Sequence, residues 1–162
     1  MGSKEKRKLK SCDLAILGLG WVGEAAAINL KERGYSLWGT VSTFEKARQL
    51  ESAGLFAYVL RLPDPMASFP GPTPKVMLYT LPPRGGQKRS EQMIRDAIRM
   101  AETAQVKAAI YLSSTSVYGS SDGWIDESDA QDVKSRHSGV RMKRLEEVWS
   151  EAAFPTTILR LG

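Results

Sequence analysis

Two groups of residues in this 162-residue chain have types and spacings suited to chemistry. The first is Ser113-Ser114-Thr115-Ser116, followed by Val117-Tyr118-Gly119, which begins where the apolar run Ala108 to Leu112 gives out. Side chains at the carboxyl end of a strand in an open α/β sheet face the ligand crevice, where a hydroxyl can polarise a carbonyl or an alcohol. Alone, the run also reads as an ordinary Ser-rich turn. The second group is Gly18-Leu19-Gly20-Trp21-Val22-Gly23, placed between the apolar Leu14-Ala15-Ile16-Leu17 and the helix-forming Glu24-Ala25-Ala26-Ala27. In such a motif the first glycine permits a tight turn, the second lets backbone approach a pyrophosphate, and the third allows close packing of helix on strand. The helix amides and dipole then bind the anion. The motif alone is weak evidence, but its position between strand and helix makes a dinucleotide site the better reading.

These groups need a sheet to hold them. Apolar runs of strand length alternate with longer amphipathic stretches, the pattern of βαβ units. We read strands at 13–18, 35–41, 56–60, 75–80, 107–113 and 156–161, and helices at 21–33, 44–53, 88–104 and 139–151. The fold class expected is α/β, a Rossmann-like doubly wound parallel sheet of about six strands. Five prolines between Pro63 and Pro74 mark a loop in place of the helix expected between the third and fourth strands. In the helix at 88–104, Met93, Ala97, Met100, Ala101 and Ala104 recur at helical spacing, a face for core packing that could also serve a homodimer.

Composition bounds the rest. Hydrophobic content of 42% and charged content of 25% are those of a globular domain. One cysteine, Cys12, and one histidine, His137, exclude an internal disulfide and make no metal site, so we expect a reducing, cytoplasmic compartment. The net charge of +5 is concentrated in Lys4, Lys6, Arg7, Lys8 and Lys10, which against Glu5 supply +4. We read 1–11 as a basic, solvated tail rather than a nucleic-acid arm, and 12–162 as the NAD(P)-binding domain. Glu24, Asn29 and the glycines interrupt the run from Leu14 to Leu30, and Asp13 stands directly before it, so no membrane anchor is expected.

At the end of the second strand an acidic residue would hold a free 2′-hydroxyl of the adenine ribose. Val41-Ser42-Thr43 contains none. Ser42 and Thr43, with Lys46 and Arg48 beyond, could accept a 2′-phosphate, which tilts the cofactor toward NADP over NAD. The same residues also read as a helix cap and exposed cations.

With Ile16 to Gly23, Tyr79-Thr80-Leu81-Pro82, Leu112 to Gly119 and Leu159-Arg160-Leu161 in place, the chain resembles the extended, atypical short-chain dehydrogenase/reductases, the NAD-dependent epimerase/dehydratase family. The resemblance implies NAD(P) binding, often with action on nucleotide sugars, so a sugar-like small molecule is a further expected partner. It implies that Gly18, Gly20, Trp21, Val22, Gly23, Ser42, Thr43, Thr80, Leu81, Pro82 and Ser113 line the cofactor, and that Ser114 polarises the substrate. In the family a Tyr-x-x-x-Lys pair on the next helix carries the proton. Aligned by Gly139 and Glu146-Glu147, that helix has Ser138 for the tyrosine and Met142 for the lysine. A serine is too weak an acid and a thioether carries no charge, so catalysis is expected to be weak or incomplete. His137 is the one nearby group with a near-neutral pKa that could substitute. Tyr118 is read as packing, and Asp126-Glu127 as capping or solvation. Relatives continue past the sixth strand into a substrate-binding region, so the chain reads as truncated before it. Three functions stay open: a dinucleotide-binding module of weak catalysis, an active NADP-dependent oxidoreductase or epimerase, and a non-catalytic redox-sensing or interaction module. The Gly-Leu-Gly-x-Val-Gly spelling is also similar to the first domain of UDP-sugar dehydrogenases, although Cys12 precedes the first strand and is poorly placed as their nucleophile.

Overall fold

Strands covered on both faces read as continuous apolar runs, and Leu14 to Leu17 and Met77 to Tyr79 are of that kind. A computed structural model describes residues 11–119, 123–131 and 137–162. Within them lie β1 (Ser11–Leu17), α1 (Trp21–Glu32), β2 (Leu37–Val41), α2 (Phe44–Ser52), β3 (Ala57–Val59), β4 (Thr73–Tyr79), α3 (Gln87–Thr103), β5 (Ala108–Ser114), α4 (His137–Trp149) and β6 (Thr156–Leu161). Two short 3-10 helices, Thr115–Tyr118 and Glu127–Gln131, were not anticipated from the residues.

The six strands form one parallel sheet in the order β3-β2-β1-β4-β5-β6. The chain winds outward from β1 to β3, crosses back to β4, and winds outward again to β6. The turns after β1 and β4 therefore leave in opposite directions and open a crevice at their carboxyl ends, the switch point at which such sheets bind ligands.

Alternation along the strands sends Leu17, Met77, Tyr79, Ala109 and Tyr111 to one face, where α3 and α4 cover them with Met93, Ile94, Ala97, Met100, Leu145 and Trp149. Leu14, Ile16, Leu37 and Leu78 lie on the other face with Leu19, Ala27, Ala47 and Leu50. The apolar side of α3 is thus spent within the chain's own core. Trp149 stacks on Tyr111 at 5.5 Å between ring centroids and meets Tyr79 edge-on at 5.3 Å, which anchors the end of α4 to the sheet.

Several boundaries move. Ser11 belongs to β1, pairing with Thr73, one residue inside the expected tail. The remainder of that tail, 1–10, lies outside the described residues. The Pro63–Pro74 loop is corrected at its end, since β4 begins at Thr73 and includes Pro74 opposite Cys12. A proline is tolerated at a strand's start, and Pro74 precedes the point where β5 joins at Val76↔Ala108. No helix intervenes between β3 and β4. Among the described residues no helix is long and apolar enough to cross a membrane.

Candidate dinucleotide site

The glycine turn is held by its neighbours before any ligand is considered. Gly18 has φ of +110°, a conformation L side chains avoid, and a Cβ there would lie 2.8 Å from Thr80 Oγ1 and 2.9 Å from Leu81 Cδ2. The Thr80 hydroxyl is 2.5 Å from the Gly18 carbonyl and 3.2 Å from that of Leu17, so it donates across the switch point from β4 to β1. From the other side, Thr40 accepts from the Gly18 amide at 3.0 Å through its hydroxyl and from the Leu19 amide at 2.7 Å through its carbonyl. Leu19 is buried against Gly39, whose missing side chain makes its room: a Cβ there would fall 2.4 Å from Leu19 Cγ. Gly23 is excluded from bearing a side chain because a Cβ would sit 2.0 Å from the Gly18 carbonyl oxygen.

Gly20 differs from the other two. A Cβ on it would meet nothing within 4 Å, so no packing within the chain demands glycine there. It is the N-cap of α1 without a side-chain cap, and among the described residues the amides of Gly20, Trp21, Val22 and Gly23 donate to no protein acceptor. Four donors at a helix start, beside a position kept clear of side chain, are what an anion needs in order to approach backbone. Glu24, in the first turn, would oppose an anion, but its carboxylate is paired with Lys46 Nζ at 2.9 Å. Trp21 is 93% exposed and Val22 partly so, both at the rim of this turn.

At the end of β2, Thr43 caps α2, its hydroxyl accepting from the Lys46 amide at 3.3 Å. Lys46 turns to Glu24, and Ser42 receives a hydrogen bond at its carbonyl from Arg61 Nε at 3.0 Å. Arg61 reaches this edge from the end of β3.

At the far side of the crevice the pleat of β5 separates the two expected serines. Ser113, 6% exposed, points with Tyr111 toward α4 and donates to Glu146 Oε1 at 2.5 Å. Ser114 falls on the alternate side of the strand, and its hydroxyl caps the following 3-10 helix by accepting from the Ser116 amide at 3.1 Å. Glu146, 7% exposed, is also clamped by Arg160, with Nε 3.1 Å from Oε1 and Nη2 2.9 Å from Oε2. Arg160 Nη1 donates to Tyr118 Oη at 3.0 Å and to the Glu127 carbonyl at 3.2 Å, while its guanidinium lies 5.1 Å over the Tyr118 ring. The hydrogen bonds to Glu146 raise the Arg160 guanidinium pKa above its ordinary value. This network ties β5, β6, α4 and the Val-Tyr-Gly turn together.

Of the two positions on α4 that the resemblance assigns to a proton relay, one, Met142, has a described side chain, and it is packed. Met142 is buried in the core with Leu145 and Val148, and the neighbouring Arg141 donates to Ser90 Oγ at 2.7 Å and the Gly86 carbonyl at 3.2 Å. The side chains of His137 and Ser138 lie outside the described residues. Asp126 caps its own turn, accepting from the Ser128 amide at 2.8 Å. The structure thus gathers Gly18, Gly20, Gly23, Thr80 and Leu81 at one point, with Pro82 on the exposed continuation of that turn. Ser113 is directed to Glu146, and Thr43 to its own helix. Sequence reading missed Thr40, Arg61, Glu146 and Arg160 as parts of this edge. For Thr40, a hydroxyl at the penultimate position of an apolar strand was the available signal; the other three are charged residues whose partners are remote in the chain.

No protein-family model matches the chain. It is 28% identical over 142 residues to Protein YeeZ of Escherichia coli, covering 83% of this chain and 52% of that protein. Among solved structures, a functionally unknown conserved protein of Silicibacter pomeroyi superposes with a TM-score of 0.71 at 26% identity, over 93% of this chain and 52% of its own. A putative NAD-dependent epimerase/dehydratase of Methylobacillus flagellatus gives 0.69 at 22%, over 92% and 53%. Triphenylmethane reductase of Citrobacter complexed with NADP(H) gives 0.68 at 15%, over 91% and 48%, and the Bordetella bronchiseptica enzyme WbmH in complex with NAD+ gives 0.70 at 13%, over 93% and 55%. The chain spans about half the length of the relatives it matches. What it shares with the epimerase/dehydratase and reductase structures is their fold: it carries the six-stranded Rossmann sheet over roughly half of each of them.

Proposed function

We propose that this chain is a nicotinamide-dinucleotide-binding domain of the epimerase/dehydratase type, with NAD or NADP laid across the switch point. The observation that carries the reading is the turn after β1, where four amides lack acceptors among the described residues and Gly20 is kept clear of any neighbour. The pyrophosphate is held by the amides of Gly20, Trp21, Val22 and Gly23 and by the α1 dipole. Thr80 and Leu81 brace the turn from β4, and the adenosine half lies toward the ends of β2 and β3. The bound coenzyme supplies hydride chemistry. Two structures of the same fold hold NADP(H) and NAD+, which supports the class of ligand.

On this reading the chain binds the coenzyme and is catalytically weak as it stands. Met142 is committed to the core where a cationic side chain is implied, and the Ser114 hydroxyl is engaged in a cap. Titration of the purified chain with NADPH and NADH, followed by calorimetry or coenzyme fluorescence, tests the binding claim. Saturable binding of one of them is expected, and failure of both at millimolar concentration overturns it. Turnover of either coenzyme with a nucleotide sugar would overturn the statement about catalysis.

A further inference from the structure

Among the described residues Arg61 makes one hydrogen bond, to the Ser42 carbonyl, and its position gives it another use. β2 and β3 run parallel with Thr40 opposite Tyr58 and Val41 opposite Val59, so the residues just past both strands share the carboxyl edge of the sheet. There Arg61 Nε donates to the Ser42 carbonyl at 3.0 Å, which fixes the plane of an exposed guanidinium beside the β2 turn. Its two terminal nitrogens have no hydrogen-bond or ion-pair partner among the described residues. No carboxylate stands on Val41-Ser42-Thr43 to accept a ribose hydroxyl. Of the other cations near this turn, Lys46 is paired with Glu24, and Arg48 is the fifth residue of α2, past its first turn.

Resting on the dinucleotide reading above, we propose that Arg61 reads the 2′-phosphate of the adenine ribose and selects NADP over NAD. A guanidinium held through Nε presents its remaining two nitrogens as a planar fork, the arrangement that matches a phosphate with two parallel charge-assisted hydrogen bonds. The Ser42 hydroxyl, exposed on the same turn, is available to a third phosphate oxygen. Selectivity arises because NADH offers this fork only a hydroxyl, which leaves the cation without its anion.

The test compares the affinities of NADPH, NADH, 2′,5′-ADP and 5′-AMP for the wild-type chain and for Arg61→Gln, Arg61→Lys and Arg48→Gln. Charge-assisted hydrogen bonds of this kind correspond to a preference of about tenfold to a hundredfold. Wild type is expected to favour NADPH over NADH, and 2′,5′-ADP over 5′-AMP, by that ratio. Arg61→Gln should abolish both ratios with NADH affinity unchanged, which also shows that the variant is folded. Arg61→Lys, keeping charge without the fork, should fall between, and Arg48→Gln should retain the wild-type ratios. If the coenzymes bind but Arg61→Gln keeps the ratio, or wild type favours NADH, the assignment of Arg61 is wrong while the dinucleotide reading stands. If no nucleotide binds, both are overturned.

Discussion

Substituting Gly20 and Gly23 separately with alanine divides what the turn does for the fold from what it does for a ligand. At Gly23 an added Cβ meets the Gly18 carbonyl oxygen at 2.0 Å, where ordinary contact begins at 3.4 Å, so backbone must part by about 1.4 Å (3.4 less 2.0). Neither atom belongs to a flexible side chain. The cost should reach or pass the upper end of the ~1–3 kcal/mol typical of overpacking. For a chain of this size that lowers the melting temperature by roughly 6–12 °C. At Gly20 the added Cβ meets nothing within 4 Å, and φ is −82°, open to any residue. Alanine stiffens the unfolded chain, a gain of ~0.4–1 kcal/mol, and is a poorer N-cap than glycine by a similar amount, so stability should change by less than about 1 kcal/mol. The methyl nevertheless occupies the space through which a pyrophosphate reaches the amides. Loss of even one charge-assisted hydrogen bond weakens coenzyme binding by about tenfold to a hundredfold. Urea unfolding and calorimetric titration of both variants measure the two effects. A Gly20→Ala chain that binds NADPH and NADH as tightly as wild type would refute the pyrophosphate cradle, and a Gly23→Ala chain of wild-type stability would refute the packing argument.

Further outcomes follow from the polar contacts around the crevice. Arg160→Leu leaves the nearly buried Glu146 carboxylate with Ser113 alone and should cost about 3 kcal/mol, whereas Arg160→Leu combined with Glu146→Leu should recover most of it; additive losses in a double-mutant cycle would show the pair to be uncoupled. Thr40→Val removes the acceptor of the buried Gly18 amide and should destabilise by about 1–3 kcal/mol in urea unfolding, an unchanged midpoint counting against its role in holding the turn. Lys75 beside Asp13, with the Ser36 hydroxyl and amide, holds the Asp13 carboxyl well below the usual carboxylate range. The folded state therefore favours the ionised form, so its contribution is complete above about pH 4 and is lost as acidification proceeds toward the lower folded pKa. Asp13→Asn should accordingly melt below wild type near neutrality, with the gap closing in acid; a gap independent of pH would contradict the assignment.

Local pattern revealed much of this fold because its signals are local. Glycines at 18, 20 and 23 between an apolar strand and Glu24-Ala25-Ala26-Ala27 specify a strand, a turn and a helix start, and β6 runs over the residues its alternation indicates, Thr156–Leu161. Pro74 was misread because a proline rule applied to a residue alone ignores which neighbours the strand has at that level of the sheet. The resemblance implies that Ser113 lines the cofactor and Ser114 polarises the substrate, and a pleat of period two sends the first to Glu146 and the second to a cap.

The sequence by itself determined the alternation of strands and helices, the glycine turn and the absence of an acid after β2. Each depends on residue type and spacing within a few positions. Tertiary structure decided which hydroxyls and charges are free for a ligand. Lys46 was drawn to Glu24 across 22 positions, Thr80 to Gly18 across 62, Ser113 to Glu146 across 33, and Arg61 to the Ser42 carbonyl across 19. Partnerships of that range are set by the crossing of β3 to β4 and by the parallel register of the sheet, which place remote residues at one edge, and no local propensity encodes them.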